Sequence, residues 1–317
     1  MKTGSETRSV EWLRDEIAKL KKEKNALIMA HYYQRDEIQE IADFIGDSLA
    51  LARQAAKTDA DIIVMCGVHF MGETAKILCP DKKVLIPDPN AGCSLADSCD
   101  PVEFKKFVEE HPDHTVISYV NTSAAVKALT DIVVTSGNAR QIVEKLPEEE
   151  KIIFGPDHNL GEYINSVTGR NMLLWKGACH VHDRFSLEKI IEMKKEHPGA
   201  KILVHPECRR PLQLIADKVG STAALLDFAQ KDDAREYIVV TESGILFEMR
   251  NKCPQKTFLA APAEDAECQC NECDFMKMNT LQKVYECLKD ETPEIIVDEK
   301  VADKAVKPIQ RMLEMSN

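Results

Sequence analysis

The chain has 317 residues, with 44% hydrophobic and 30% charged, an ordinary globular composition. Its formal charge of −12 argues against duplex nucleic acid as the main partner, because backbone binding needs a basic face. The longest stretch free of Asp, Glu, Lys and Arg, His114 to Val126, is 13 residues, too short for a spanning helix of ~18 or more apolar residues, so no membrane association is expected.

The opening MKTGSETRSVEWLRDE has no apolar core or cleavage site, so no secretory signal is expected and the cytoplasm is the expected location. A Lys- and Glu-rich helix over residues 11–22 leads into an apolar strand at 26–30, and strands follow at 62–65 and 84–86. A second such helix, 102–110, leads into a strand at 116–120, then strands at 132–135, 152–154 and 172–174. A third, 187–196, leads into 202–204, followed by 237–240 and 257–259. The second and third helices both stop at Glu-His-Pro, as proline after a last turn requires. Near-continuous apolar strands between helices predict parallel sheets covered on both faces.

This order is an internal repeat. A polar residue ends each leading strand: His31, Tyr119 and His205, spaced by 88 and 86 residues. In each case a hydroxyl residue follows 17 positions later: Ser48, Ser136 and Thr222. After each fourth strand comes a cysteine: Cys93, Cys179, and one of Cys268, Cys270 or Cys273. The predicted fold is α/β: three similar small parallel-sheet sandwich domains in a pseudo-threefold arrangement around a central active site. The expected units are residues 1–108, 109–196 and 197–290, with 291–317 packing on them.

In open parallel sheets the carboxyl ends of the strands carry the functional loops. The three sets of marker residues therefore converge on one cavity. A Ser or Thr opening a helix is ordinarily a cap worth ~1 kcal/mol. Three helix starts facing one cavity also make an anion site, suited to carboxylates and a phosphate. Of the eleven cysteines, Cys66, Cys79, Cys253 and Cys287 lie in apolar or helical patterns and read as buried thiols, while Cys99 and Cys208 stay unassigned. One cysteine per repeat suggests three thiolates at the axis: a [4Fe–4S] cluster with one iron open, or a zinc ion with three cysteines and a water. His111, His114 and His197 sit at surface turns, and His69 and His158 are weaker candidates. His31, His182, His205 and Glu207 fall in the convergent loops, where such groups move protons.

The segments AHYYQRDEIQEIADFIGDSLALAR, PDPNAGCSLAD, SYVNTSAAVKALTDIVVTSGNA, IIFGPDHNLGEYI, KGACHVHDRF, KILVHPECRRP, KVGSTAALL and CDFMKMNTL run in this order through the chain. With them the chain resembles the quinolinate synthase family, iron–sulfur enzymes of NAD biosynthesis. The resemblance implies condensation of iminoaspartate with dihydroxyacetone phosphate, giving quinolinate, inorganic phosphate and two waters. It implies a [4Fe–4S] cluster held by Cys93, Cys179 and Cys273; the spacing to MKMNTL favours Cys273 over Cys268 and Cys270. It implies substrate contacts from His31, Ser48, Tyr119, Asn121, Ser136, His182, His205, Glu207 and Thr222. Glu207 with Tyr33 would shuttle protons, and His31 and His205 would add cationic or hydrogen-bonding help. The enzyme that supplies iminoaspartate is a candidate partner. Two other readings stand beside this one: another iron–sulfur hydro-lyase, and a non-catalytic metal-binding regulatory protein.

Overall fold

The computed structural model describes residues 9–264 and 271–316. Twelve strands form three four-stranded sheets. The first holds β1 (Ala26–His31), β2 (Phe44–Gly46), β3 (Ile62–Cys66) and β4 (Lys83–Leu85), in the order β2-β1-β3-β4. The second holds β5 (Thr115–Tyr119), β6 (Ile132–Val134), β7 (Ile152–Gly155) and β8 (Leu173–Leu174), ordered β6-β5-β7-β8. The third holds β9 (Lys201–Val204), β10 (Lys218–Val219), β11 (Glu236–Val240) and β12 (Thr257–Ala260), ordered β10-β9-β11-β12. Every strand pairing within the sheets is parallel. The α/β class and the three similar sheets are as the repeat predicts. Two strands, β2 and β10, had no apolar run to announce them; they are three and two residues long.

The repeat extends to single hydrogen bonds. Asp43, Asp131 and Asp217 stand just before β2, β6 and β10. Each accepts the backbone N–H of a first-strand residue (Ile28, Val116, Ile202) at 2.8 Å. The N–H of each aspartate returns a bond to the carbonyl of that same residue at 2.9 Å. This two-way clamp fixes where each short second strand joins its sheet, which side-chain alternation over two or three residues would leave loose.

The central core draws buried residues from all three sheets, among them Met29, Ile117 and Leu203. Outer clusters are local. The helices Val10–Glu23 and Leu281–Asp290 cover the first sheet through Leu13, Ile17, Val284 and Leu288. Phe104 of helix Pro101–Glu109 packs with Val116 and Ile153 of the second sheet. Ile190 of helix Leu187–Glu196 packs with Ile202 and Ile238 of the third. The helix Glu299–Met315 buries Ala305, Ile309 and Met312. Its end is tied to both of the first two units: Arg53 donates to the Ser316 carbonyl at 2.8 Å, and Asn138 to the Ser316 hydroxyl at 2.8 Å. Among the described residues no helix is long and apolar enough to cross a membrane.

The strand order places the first and third strands side by side at the middle of each sheet, with connections leaving in opposite directions. That switch point is where an open α/β sheet leaves a crevice. Three such crevices meet at the centre of the molecule.

Candidate active site

At the carboxyl end of each first strand a side chain lines a shared central cavity. All thirteen residues singled out from the sequence line it: His31, Tyr33, Ser48, Cys93, Tyr119, Asn121, Ser136, Cys179, His182, His205, Glu207, Thr222 and Cys273.

The two histidines that end strands are held alike. His31 Nδ1 accepts the Tyr33 N–H at 3.1 Å, and His205 Nδ1 accepts the Glu207 N–H at 3.4 Å. An accepting Nδ1 leaves the proton on Nε2, which therefore donates. Burial pushes both imidazoles down to about 3, so at neutral pH they enter as uncharged donors rather than cations.

The hydroxyls are not the helix caps. Asp47 caps the helix Ser48–Ala55 through the Ala50 N–H, and Ser221 caps Thr222–Lys231 through the Ala224 N–H. Ser48 and Thr222 are the first helical residues. Ser136 lies two residues ahead of Asn138, the start of Ala139–Lys145. With capping assigned to their neighbours, the three hydroxyls are free to face the cavity. Thr222 Oγ1 lies 2.7 Å from the Tyr33 hydroxyl, and Ser136 Oγ lies 3.2 Å from His205 Nε2. Asn121 Oδ1 is buried without a hydrogen-bond partner among the described residues, an acceptor facing a polar cavity.

Glu207 is the hub. Its Oε1 accepts the Tyr119 hydroxyl at 2.5 Å, and its Oε2 lies 3.2 Å from His182 Nδ1. The other ring nitrogen of His182 meets Thr241 Oγ1 at 2.9 Å, and Thr241 meets the Tyr33 hydroxyl at 2.7 Å. Tyr33 and Glu207 are therefore joined through Thr241 and His182. Burial alone would push the Glu207 carboxyl up; His182 and the Tyr119 hydroxyl outweigh it and hold the group below the usual carboxylate range. Burial, with Glu207 adding to it, pushes both tyrosines well above the ordinary phenol range. The result is one ionised acceptor facing two protonated phenols.

The three cysteines come from the three units and share a backbone register. The N–H of the residue just past each third strand's exit donates to the carbonyl two residues before the cysteine. The pairs are His69 to Ala91 at 2.7 Å, His158 to Gly177 at 2.8 Å and Ser243 to Asn271 at 3.2 Å. Those carbonyls precede Cys93, Cys179 and Cys273. Cys268 and Cys270 lie outside the described residues. Two buried carboxylates stand behind the cysteines: Asp157 accepts the Cys179 N–H at 3.0 Å, and Glu242 accepts the Cys273 N–H at 3.2 Å. Lys277 pairs with Glu242 at 2.9 Å. Burial pushes the Cys93 thiol up to about 12, with Cys273 adding to it. A metal held by this thiol would displace its proton, as at thiolate sites.

A family model described as Quinolinate synthetase A protein matches residues 15–314. The chain belongs to the quinolinate synthase family. The quinolinate synthase of Chloroherpeton thalassium (strain ATCC 35110 / GB-78) is 56% identical over 304 residues, covering 96% of this chain and 94% of its own. That of Microcystis aeruginosa (strain NIES-843 / IAM M-2473) is 56% identical over 300 residues, covering 95% and 94%. The chain is thus an enzyme of this family, and the family implies small-molecule substrates and a metal cofactor. For a quinolinate synthase the described residues also hold a metal-sized group of mixed donors: atoms of Cys179, His182 and Glu207 lie within 4.8 Å of one another.

Asp157, Thr241, Glu242 and Lys277 are among the residues of the site that escaped the sequence reading. Three of them follow a third strand. The signal was present, since Pro156-Asp157 and Thr241-Glu242 occupy the same place after β7 and β11, but Gly67-Val68 in the first unit carries no polar group and hides the pattern.

Proposed function

We propose that the protein condenses iminoaspartate with dihydroxyacetone phosphate in the central cavity, releasing quinolinate, inorganic phosphate and two waters, with a [4Fe–4S] cluster held by Cys93, Cys179 and Cys273. The observation that carries this reading is the convergence of one thiol from each unit on a cavity otherwise lined with hydroxyl, imidazole, phenol and carboxylate groups. The donor set fits the group. Three soft sulfur ligands, with no fourth cysteine lining the cavity among the described residues, suit a cluster with one iron free of protein thiolate. When bound, such a cluster supplies a Lewis acid.

The side chains do the rest. Ser48, Ser136, Thr222 and Asn121 hold carboxylate and phosphate oxygens. His31 and His205 donate from Nε2 without adding charge. Glu207, ionised and bonded to Tyr119, takes a proton; Tyr119 and Tyr33 return protons to departing oxygens, Tyr33 through Thr241 and His182. The enzyme that supplies iminoaspartate is the expected partner. The cytoplasm is the expected location, supported by nine free cysteines among the described residues.

The mixed donor group of Cys179, His182 and Glu207 favours a second reading, a zinc ion. Against it, both nitrogens of His182 are already engaged, by Glu207 and Thr241. Anaerobic purification with metal and sulfide analysis separates the two. About four irons and four sulfides per chain, with quinolinate formed from the two substrates, is the expected result. One zinc and no sulfide overturns it.

A further inference from the structure

Eight residues after each first-strand marker comes a side chain that ties the site loop to its own unit. Gln39 Nε2 donates to the carbonyls of Tyr32 at 3.1 Å and Gln34 at 2.9 Å. Gln213 Nε2 donates to those of Pro206 at 2.9 Å and Cys208 at 2.7 Å. In the second unit the residue is Lys127, whose ammonium donates to the carbonyls of Val120 at 2.8 Å and of Thr122. The bonding is the same, one and three residues past the marker in every case. Two glutamines show that an amide satisfies it. The charge at the third position is therefore surplus to the clamp.

That charge is costly to keep. Lys127 is 0% exposed, and no carboxylate oxygen lies within 4 Å of it among the described residues. Its nitrogen sits 5.4 Å from the centre of the Phe70 ring, and Phe70 lines the active-site cavity. Burial pulls the ammonium down to about 8, with Glu73 the first opposing charge, so the cation persists at neutral pH. Glu73 is already engaged by the Ala124 N–H at 2.9 Å. A buried cation with no close ion pair, stacked on a ring that lines the cavity, raises the positive potential in that cavity and favours an anion there.

We infer that Lys127 is a specificity-determining residue that never touches substrate, its charge acting across Phe70 to favour anionic ligands in the cavity. The inference rests on the small-anion reading proposed above. It also explains why only one of three equivalent positions carries a charge: a single cation biases one side of the cavity.

The test uses cluster-loaded protein, the dianion quinolinate as probe, and two variants. Lys127→Gln keeps the donor that its sister positions use. Lys127→Met keeps the length but removes both donor and charge. Dissociation constants and thermal midpoints are measured for each. Loss of affinity on the order of tenfold in both variants, whatever their midpoints, is the expected result. Affinity that follows the midpoint, intact in Lys127→Gln and lost only in an unstable Lys127→Met, overturns the inference and leaves Lys127 a clamp. Wild-type protein that does not bind quinolinate sinks both the inference and the anion-site reading beneath it.

Discussion

Glu207 and the two strand-ending histidines respond to acid in different ways, and both responses are measurable. Replacing Glu207 by Gln keeps its size and removes the ionised acceptor. Turnover should fall by about a hundredfold or more while cluster absorbance and fold stay intact; full activity would remove Glu207 from the chemistry. His31 and His205 are held near 3 by burial, whereas an unfolded histidine titrates near 6.5. Between those values the unfolded chain binds more protons than the folded one. Stability therefore rises with pH across that window and is lost as pH falls through it, by up to about 1.4 kcal/mol per pH unit for each histidine. Denaturant midpoints of the metal-free protein should drop from pH 6.5 downward, and His205→Asn should flatten the slope; an unchanged slope would mean His205 is already charged. At this scale the marker residues were legible because spacing repeats reveal them. Thr241 and Lys127 were not. One is an ordinary residue joining two others, and the other differs from its sister residues only in charge, which spacing does not report.

The register of secondary elements supports the proposed choice of Cys273. Asn271 accepts from Ser243 as Ala91 and Gly177 accept in their units, which gives Cys273 the same place after that bond as Cys93 and Cys179. Cys273→Ser should abolish the cluster spectrum, and Cys268→Ser should leave it; the reverse pattern would move the ligand upstream. Ten of the twelve strands and all three leading helices are visible in the sequence with bounds within one residue of the structure. The short strands β2 and β10 were invisible because no apolar run marks them, each following directly on an aspartate. Their positions come from the aspartates before them, whose side chains bond to the first strand across 15 residues.

At the scale of the molecule, the residues eight past the markers join neighbouring units in one rotational sense. Gln39 of the first unit reaches the Gly244 carbonyl of the third at 3.0 Å, Gln213 of the third reaches the Asn159 carbonyl of the second at 3.5 Å, and Lys127 of the second lies over Phe70 of the first. At Gly244 the approach is tight: a Cβ there would stand 2.8 Å from the Tyr33 backbone. The final helix reinforces one seam of this ring, between the first two units. Ending the chain at Asp298 should expose the surface covered by Ala305, Ile309 and Met312 and lower the thermal midpoint by more than about 5 °C. An unchanged midpoint would show the ring closes without it.

A ring of three like units has a geometric liability. A pocket on its axis, if the units were identical, would offer an asymmetric guest three equivalent poses, only one of them productive. The positions two after each marker are Tyr33, Asn121 and Glu207, three different chemistries at one repeated site. The second unit alone has Tyr in place of His at the marker, and Lys in place of Gln eight residues on. Joining three units in one chain lets each drift separately, and that drift abolishes the degeneracy. Handedness of substrate placement is thus written where the repeat fails, not where it holds.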